Sequence, residues 1–317
     1  AVIVFFVLSG FFIHLRISKQ LAEENSFKFD FLKFFRRRCH RLIPPYAFAL
    51  ILTVILDCIG MMLYPTLYQG ATGDALLDIN FIRKEYTIES IFPALILLPT
   101  SMGKDFGSNG PLWSLAYEIV YYSIYPVWLI FRRRISIAAY ILGILIATFS
   151  AFFISGDFLR PIFTHYPIWL CGAAMAEILT KYKYRKKYFL PVSLFGFILA
   201  FFALQIPDVK SLKLVFYAFL GTGLVLSMLY LPPNLLKSRI LRFFESWGVK
   251  SYTVYICHFP MVTLVSAWII ETQGSRPNHG WLAIFTFLGV LLLCNLFFFI
   301  CESHFLHSRI KLNPKQS

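Results

Sequence analysis

The sequence predicts an all-α, polytopic integral membrane bundle, and three observations carry that prediction. Hydrophobic residues make up 58% of the 317 positions, and the mean hydropathy is +0.67. A soluble domain is nearer ~45–50% apolar, so the excess answers to lipid rather than to a larger core. The apolar residues gather in long runs spread over the whole chain, and every second connection between runs is rich in Lys and Arg. That asymmetry orients multi-span proteins. A single membrane domain over 1–317, with no soluble domain beside it, accounts for all three.

Nine runs approach the roughly 20 apolar residues that a span requires: 1–15, 42–64, 111–131, 135–155, 162–180, 189–206, 213–231, 251–270 and 281–301. Ala1 already lies inside an apolar run, with no Met, basic leader or cleavage signal before it, so the run does not read as a signal peptide. It reads as the remainder of a span, in a domain lacking its first helix. The stretch 91–99, IFPALILLP, is short and carries two prolines, which suits an interfacial or re-entrant segment. Ser9–Gly10 and the pair Gly221 and Gly223 allow helices to approach closely. Ser9 and Gly10 have no evident partner among the runs, which points to the missing helix.

Of the 30 Lys and Arg, 23 fall in 16–41, 132–134, 181–187, 232–250 and 302–317, against 7 in the intervening loops. The basic loops are therefore cytoplasmic, the C-terminus is inside and the first run enters from outside. Nine spans with one end outside call for a tenth before Ala1. The net charge of +14 is a topology signal first. No basic stretch lies outside a membrane-flanking loop, which argues against nucleic acid as a partner. Five of the six cysteines lie in apolar runs and Cys39 in a basic loop. No disulfide is expected, and no pair has metal-ligand spacing, so no metal site is expected either.

A carboxylate within a spanning helix costs roughly 2.5–3.5 kcal/mol, so Glu118 in GPLWSLAYEIVYYSIYP (110–126) needs a reason. At ~1.5 Å per residue it lies about 10 Å in from the outer end, and Asp57 about 24 Å from the inner surface. Both belong to the outer half. A buried carboxyl suits acid–base work. The alternative is a helix-tying group satisfied by a Tyr, Ser or Trp neighbour, and Asp57 fits that alternative better. Trp113, Ser114, Tyr117, Tyr121 and Tyr122 surround Glu118 in the sequence. Ser114, with Tyr121 or Tyr122, shares its helical face.

Arg36, Arg37, Arg38, His40 and Arg41 stand just before Pro44–Pro45, where a span begins. Forked, permanently charged donors suit phosphates, and anionic lipid headgroups are the other partner of that chemistry. The RRR at 132–134 and KYKYRKK at 181–187 read as topology and lipid contacts. His258 lies in SYTVYICHFP (251–260). It is either a structural donor to a carbonyl or a functional ring, and Pro260 frees the carbonyl of Ile256 nearby. His14, His165, His279, His304 and His307 lie at span ends and read as interfacial. No HxxxH, CxxC, P-loop or GxGxxG pattern is present.

Four stretches, in this order, resemble the membrane acyltransferase-3 family, which O-acylates sugars of bacterial surface polysaccharides: FFVLSGFFI (5–13), FFRRRCHRLIPPY (34–46), NGPLWSLAYEIVYYSIYP (109–126) and SYTVYICHFP (251–260). The family's helix count agrees with nine plus the missing one. The resemblance implies that Arg37, Arg38 and Arg41, with His40, hold the phosphates of a cytoplasmic acyl-CoA, with acetyl-CoA the leading donor. Acyl-CoA would be a co-substrate, and no cofactor is implied. A histidine of the absent first helix would act as base, supported by Glu118, with His258 the candidate inside this chain. Trp113, Ser114, Tyr121 and Tyr255 would line the path of the substrate. The acceptor would be a lipid-linked or surface glycan, and the setting the bacterial inner membrane, multi-pass with a cytoplasmic C-terminus and membrane lipids as neighbours. A multi-span transporter, or a lipid or glycan flippase, is the rival reading. Against it, the sequence has no internal repeat and no matched pair of Gly/Pro-interrupted helices.

Overall fold

A computed structural model describes residues 2–23, 29–75, 77–78, 86–135, 138–156, 158–181, 195, 198, 220–225, 238–275 and 280–307. Every regular element among them is helical. In chain order the helices are α1 (Val2–Glu23), α2 (Phe31–Leu63), α3 (Pro65–Tyr68), α4 (Ile88–Leu95), α5 (Trp113–Ile135), α6 (Ala138–Phe153), α7 (Leu159–Lys181), α8 (Arg239–Gln273), α9 (Gly280–Cys301) and α10 (Ser303–His307). A 3-10 turn at Gly110–Leu112 leads into α5.

Five of these helices are long and apolar enough to cross a membrane, within Val2–Leu21, Phe31–Leu63, Leu159–Thr180, Leu241–Gln273 and Gly280–Cys301. Ala138–Phe153 is a shorter apolar helix. α5 has the length, 23 residues, but its tyrosines, Glu118 and three terminal arginines make it less apolar. Seven of the nine predicted runs coincide with described helices. The runs 189–206 and 213–231 lie outside the described residues, apart from 195, 198 and 220–225. The exposed face of α9 carries Trp281, Phe285, Leu288, Leu292 and Phe299, a surface that suits acyl chains as solvent.

Two helix starts differ from the sequence reading. The connection expected over 16–41 is largely helical, because α1 continues to Glu23 and α2 begins at Phe31. The arginine cluster therefore rides on a helix, and Pro44 and Pro45 lie inside α2 rather than at its start. α8 likewise begins at Arg239, three turns before the apolar run. Hydropathy marks where lipid begins, whereas a hydrogen-bonded helix continues past that border on charged residues.

The chain divides into two compact units: residues 1–31 with 117–241, and residues 32–116 with 242–317. In the first, α1 packs along α7, and α7 along α6. The α1–α7 crossing has no room for side chains at its centre. A Cβ on Gly10 would strike the Trp169 carbonyl, and one on Gly172 would strike the Val7 carbonyl. The small face at Ser9–Gly10 is thus taken by α7, which corrects the expectation that it awaits a missing helix. Phe6, Tyr121, Tyr125 and Trp169 fill the interior beside it.

In the second unit, Tyr252 of α8 donates to the Leu42 carbonyl of α2 at 3.1 Å. Tyr46 of α2 donates to the Ala94 carbonyl of α4 at 2.8 Å. Lys250 of α8 reaches Asn295 of α9 at 2.6 Å. These bonds tie each helix to the next through a side chain rather than through area alone.

The crossing makes a test. Gly172→Ala places a methyl against backbone that cannot swing aside, at an expected cost of about 1–3 kcal/mol. Gly289→Ala, whose Cβ points into open space, is expected to be silent. Unfolding midpoints in detergent compare the two, and equal midpoints would contradict the close crossing.

Candidate functional site

The first unit surrounds Glu118. Its side chain is only 4% exposed. Oε1 accepts the Ser9 hydroxyl of α1 at 2.5 Å and the Tyr122 hydroxyl one turn along α5. Ser9 in turn accepts the Trp169 indole N–H of α7 at 3.2 Å. Hydroxyls of two helices thus meet on one carboxylate oxygen, and a third helix holds one of them. The close α1–α7 crossing brings Trp169 to Ser9, since Ser9 neighbours Gly10 and Trp169 is the residue whose carbonyl Gly10 abuts.

Of the two tyrosines expected on the Glu118 face, Tyr122 is the one that reaches it. Tyr121 is fully buried and donates to the Ile162 carbonyl at 2.9 Å, with its ring against Phe6, Tyr166 and Trp169. It serves the α5–α7 contact, because one residue of helical rotation turns it about 100° away from Tyr122.

Toward the C-terminal end of α5 the same unit holds a second polar cluster. His14 is 0% exposed, not interfacial. Its Nδ1 lies 2.8 Å from the Tyr125 hydroxyl, and its Nε2 lies 3.5 Å from Glu177 Oε2. Glu177 accepts Arg132 Nε at 2.6 Å and the Tyr140 hydroxyl at 2.7 Å. Arg132 is thus an ion-pair partner of α7 rather than a lipid contact.

The second unit holds the other predicted residues. Ser114 pairs with the Tyr255 hydroxyl at 2.6 Å, and Tyr255 donates to the Pro111 carbonyl at 2.9 Å. Ser114 therefore faces α8, not the Glu118 oxygen. His258 Nδ1 lies 2.8 Å from the Tyr255 carbonyl and 3.0 Å from that of Val254. That contact fixes the tautomer with the proton on Nδ1 and leaves Nε2 as the basic nitrogen. Trp113 opens α5, half-buried.

The carbonyl of Ile256, freed by Pro260, accepts Asn109 Nδ2 at 2.9 Å. The same nitrogen donates to Thr53 Oγ1 at 3.0 Å, and Thr53 donates to Ala49. Asn109 is a residue the sequence reading missed. The signal for it was the freed carbonyl, which required a donor from elsewhere. Glu177 was missed too, although it is a carboxylate inside an apolar run, as Glu118 is.

Asp57 takes the structural role expected of it. It is 1% exposed and accepts the Ser108 N–H at 2.7 Å, the Ser108 hydroxyl at 2.6 Å and the Tyr86 hydroxyl at 2.9 Å. Burial first, and then the Asp57 charge, raise the Tyr86 phenol well above its ordinary range. Gly107, at φ 52°, sits where a Cβ would meet Asp57 and Tyr86. The carboxylate thus pins the loop that delivers Asn109 and the start of α5.

The arginine cluster lies on the first turns of α2. Arg36, Arg37 and His40 are exposed, while Arg38 and Arg41 are half-buried. Arg38 sits over the Phe34 ring at 5.6 Å. The charge of Arg41 is felt by the fully buried Glu302, whose carboxyl burial raises; the Thr253 hydroxyl and Arg41 offset part of that rise. Among the described residues no His, Cys, Asp and Glu group could hold a metal ion.

Comparison with known proteins agrees with the resemblance seen in the sequence. The acyltransferase domain described by the acyltransferase-3 family profile matches residues 1–300. Peptidoglycan O-acetyltransferase OatA of Listeria monocytogenes is 25% identical over 95% of this chain and 50% of its own length. O-acetyltransferase OatA of Staphylococcus aureus is 25% identical over 88% of this chain and 48% of its own. The chain spans about half the length of these relatives. No solved structure matches it.

The Asp57 clamp is open to test. Asp57→Ala leaves three donors without their acceptor, at about 1–3 kcal/mol for each that stays buried. The variant is expected to be cut by protease within 96–110 while the spans remain protected. Digestion indistinguishable from that of the unaltered protein would remove the clamp.

Proposed function

The chain belongs to the acyltransferase-3 family, and from that membership we propose that it is the membrane part of an O-acetyltransferase. It moves an acetyl group from acetyl-CoA to a sugar hydroxyl of a surface polysaccharide or of its lipid-linked precursor. The observation that carries this reading is Glu118. Its carboxylate is buried within α5 and oriented by hydroxyls of two helices. An oriented carboxylate beside a general base fixes the base's tautomer and stabilises its protonated form in acyl transfer. The base it would serve is the histidine that the resemblance assigns to the family's first helix. His258, with Nδ1 engaged by backbone and Nε2 as the basic nitrogen, is the candidate inside this chain.

The donor enters from the basic side. Arg37, Arg38, Arg41 and His40 occupy two faces of the first turns of α2. Guanidinium groups there would hold the phosphates of the nucleotide by charge-assisted bonds. The half-buried Arg38 and Arg41 are the better placed for this, because part of their freedom is already lost to Phe34 and to the surroundings of Glu302. Peptidoglycan, the polymer in the Listeria relative's name, is the first acceptor to try.

Two substitutions test the two halves. Glu118→Gln keeps shape and hydrogen-bonding capacity but removes the charge. It is expected to insert normally and lose acetyl transfer by about 10²-fold or more, the scale of acid–base assistance. Normal acetylation by a stably expressed Glu118→Gln protein would refute the supporting role. Arg38→Ala with Arg41→Ala is expected to raise the acetyl-CoA concentration for half-maximal rate by at least about tenfold, since each charge-assisted bond contributes ~1.5–3 kcal/mol. An unchanged acetyl-CoA dependence would return the cluster to lipid binding.

A further inference from the structure

The Glu118 pocket and the His14 cluster lie on one helix face. Glu118, Tyr122, Tyr125 and Arg132 occupy positions i, i+4, i+7 and i+14 of α5, which return to the same side of an α-helix. Both ends of this file are hydrogen-bonded. At one end Tyr122 donates to Glu118. At the other, Tyr125 meets His14, which faces Glu177. Tyr122 and Tyr125 are neighbours across one turn, with Cβ atoms ~5–6 Å apart. Their side chains are 4% and 0% exposed, so the file runs through the interior of the unit.

His14 is the informative member. A histidine that only ties helices together needs one ring nitrogen bonded and the other in water or on a carbonyl. Here the ring is fully buried, with a phenol at Nδ1 and a carboxylate toward Nε2, and Nε2 makes no hydrogen bond at 3.5 Å. Such a ring can receive a proton on one nitrogen and release one from the other. Glu177 is the partly exposed end of the file, held by Arg132 and Tyr140. By the charge pattern of the loops, that end is cytoplasmic.

The proposed reaction requires this traffic. The thioester C–S bond breaks at the donor, and an ester C–O bond forms at a glycan hydroxyl. The hydroxyl's proton must end on the departing thiolate. If the thiol leaves on the cytoplasmic side and the hydroxyl reacts in the outer half, a proton crosses inward for each acetyl group that moves outward. We propose that Tyr122, Tyr125, His14 and Glu177 form a relay that carries this proton between Glu118 and the cytoplasmic face. The inference rests on the acetyltransferase reading above.

The test uses the full-length protein in liposomes, with acetyl-CoA as donor and a soluble peptidoglycan fragment as acceptor. His14→Ala is expected to lower saturated turnover at least tenfold with half-saturating concentrations unchanged, and added imidazole is expected to restore turnover several-fold. Tyr125→Phe, which keeps the ring and removes one hydroxyl, is expected to raise the solvent deuterium isotope effect on turnover. It decides the matter alone if His14→Ala does not fold. Unaltered turnover in folded His14→Ala overturns the relay. A loss that imidazole leaves in place, with no isotope change in Tyr125→Phe, overturns it as well and makes the cluster structural. Absence of transfer by the unaltered protein overturns the acetyltransferase reading first, and the relay with it.

Discussion

The hydrocarbon core of a membrane offers no water, so every polar side chain that enters it must meet a partner carried by the protein itself. Glu118, shut inside the first unit, is under the same requirement. One of its oxygens is shared by Ser9 and Tyr122, and Ser9 is held by Trp169. Tyr122 reaches it from one turn along the same helix, whereas Trp169 reaches Ser9 where α1 and α7 cross with almost nothing between their backbones, at Gly10 and Gly172. Packing and chemistry meet here: the small residues set the α1–α7 distance at which the indole can hold the serine that the carboxylate accepts.

The second unit meets the same constraint with backbone groups. Pro260 removes a donor from α8 and leaves the Ile256 carbonyl open. Asn109 closes it, and Asp57 holds the loop on which Asn109 sits. A proline, an asparagine and an aspartate far apart in the chain thus form one solution, with Tyr255, Ser114 and His258 beside it. Strain is concentrated in the same loop, where Leu97 and Thr100 adopt left-handed backbone at φ 64° and 65°. Such residues persist where their surroundings over-determine them.

Buried charge distinguishes the two kinds of basic residue. Arg133 and Arg134 are exposed at the end of α5, as orientation signals are, whereas Arg132 is engaged by Glu177. Three identical letters carry two functions. A residue's side of the helix, fixed by 100° steps, separates them.

The sequence by itself determined the fold class and the apolar runs that coincide with most of the described long helices, because hydropathy is a local, additive property of the chain. It also singled out Glu118 and Asp57, since a carboxylate in an apolar run is conspicuous without any structure, and it located the freed carbonyl at Ile256. The tertiary structure alone decided which partners answered. Tyr122 rather than Tyr121 reaches Glu118, Ser114 turns to Tyr255, His14 is interior rather than interfacial, and α7 occupies the Ser9–Gly10 face. Each of these depends on the rotation of one helix against another. That rotation is settled by contacts between residues more than a hundred positions apart, as Ser9 and Glu118 are, and no local pattern in the sequence encodes it.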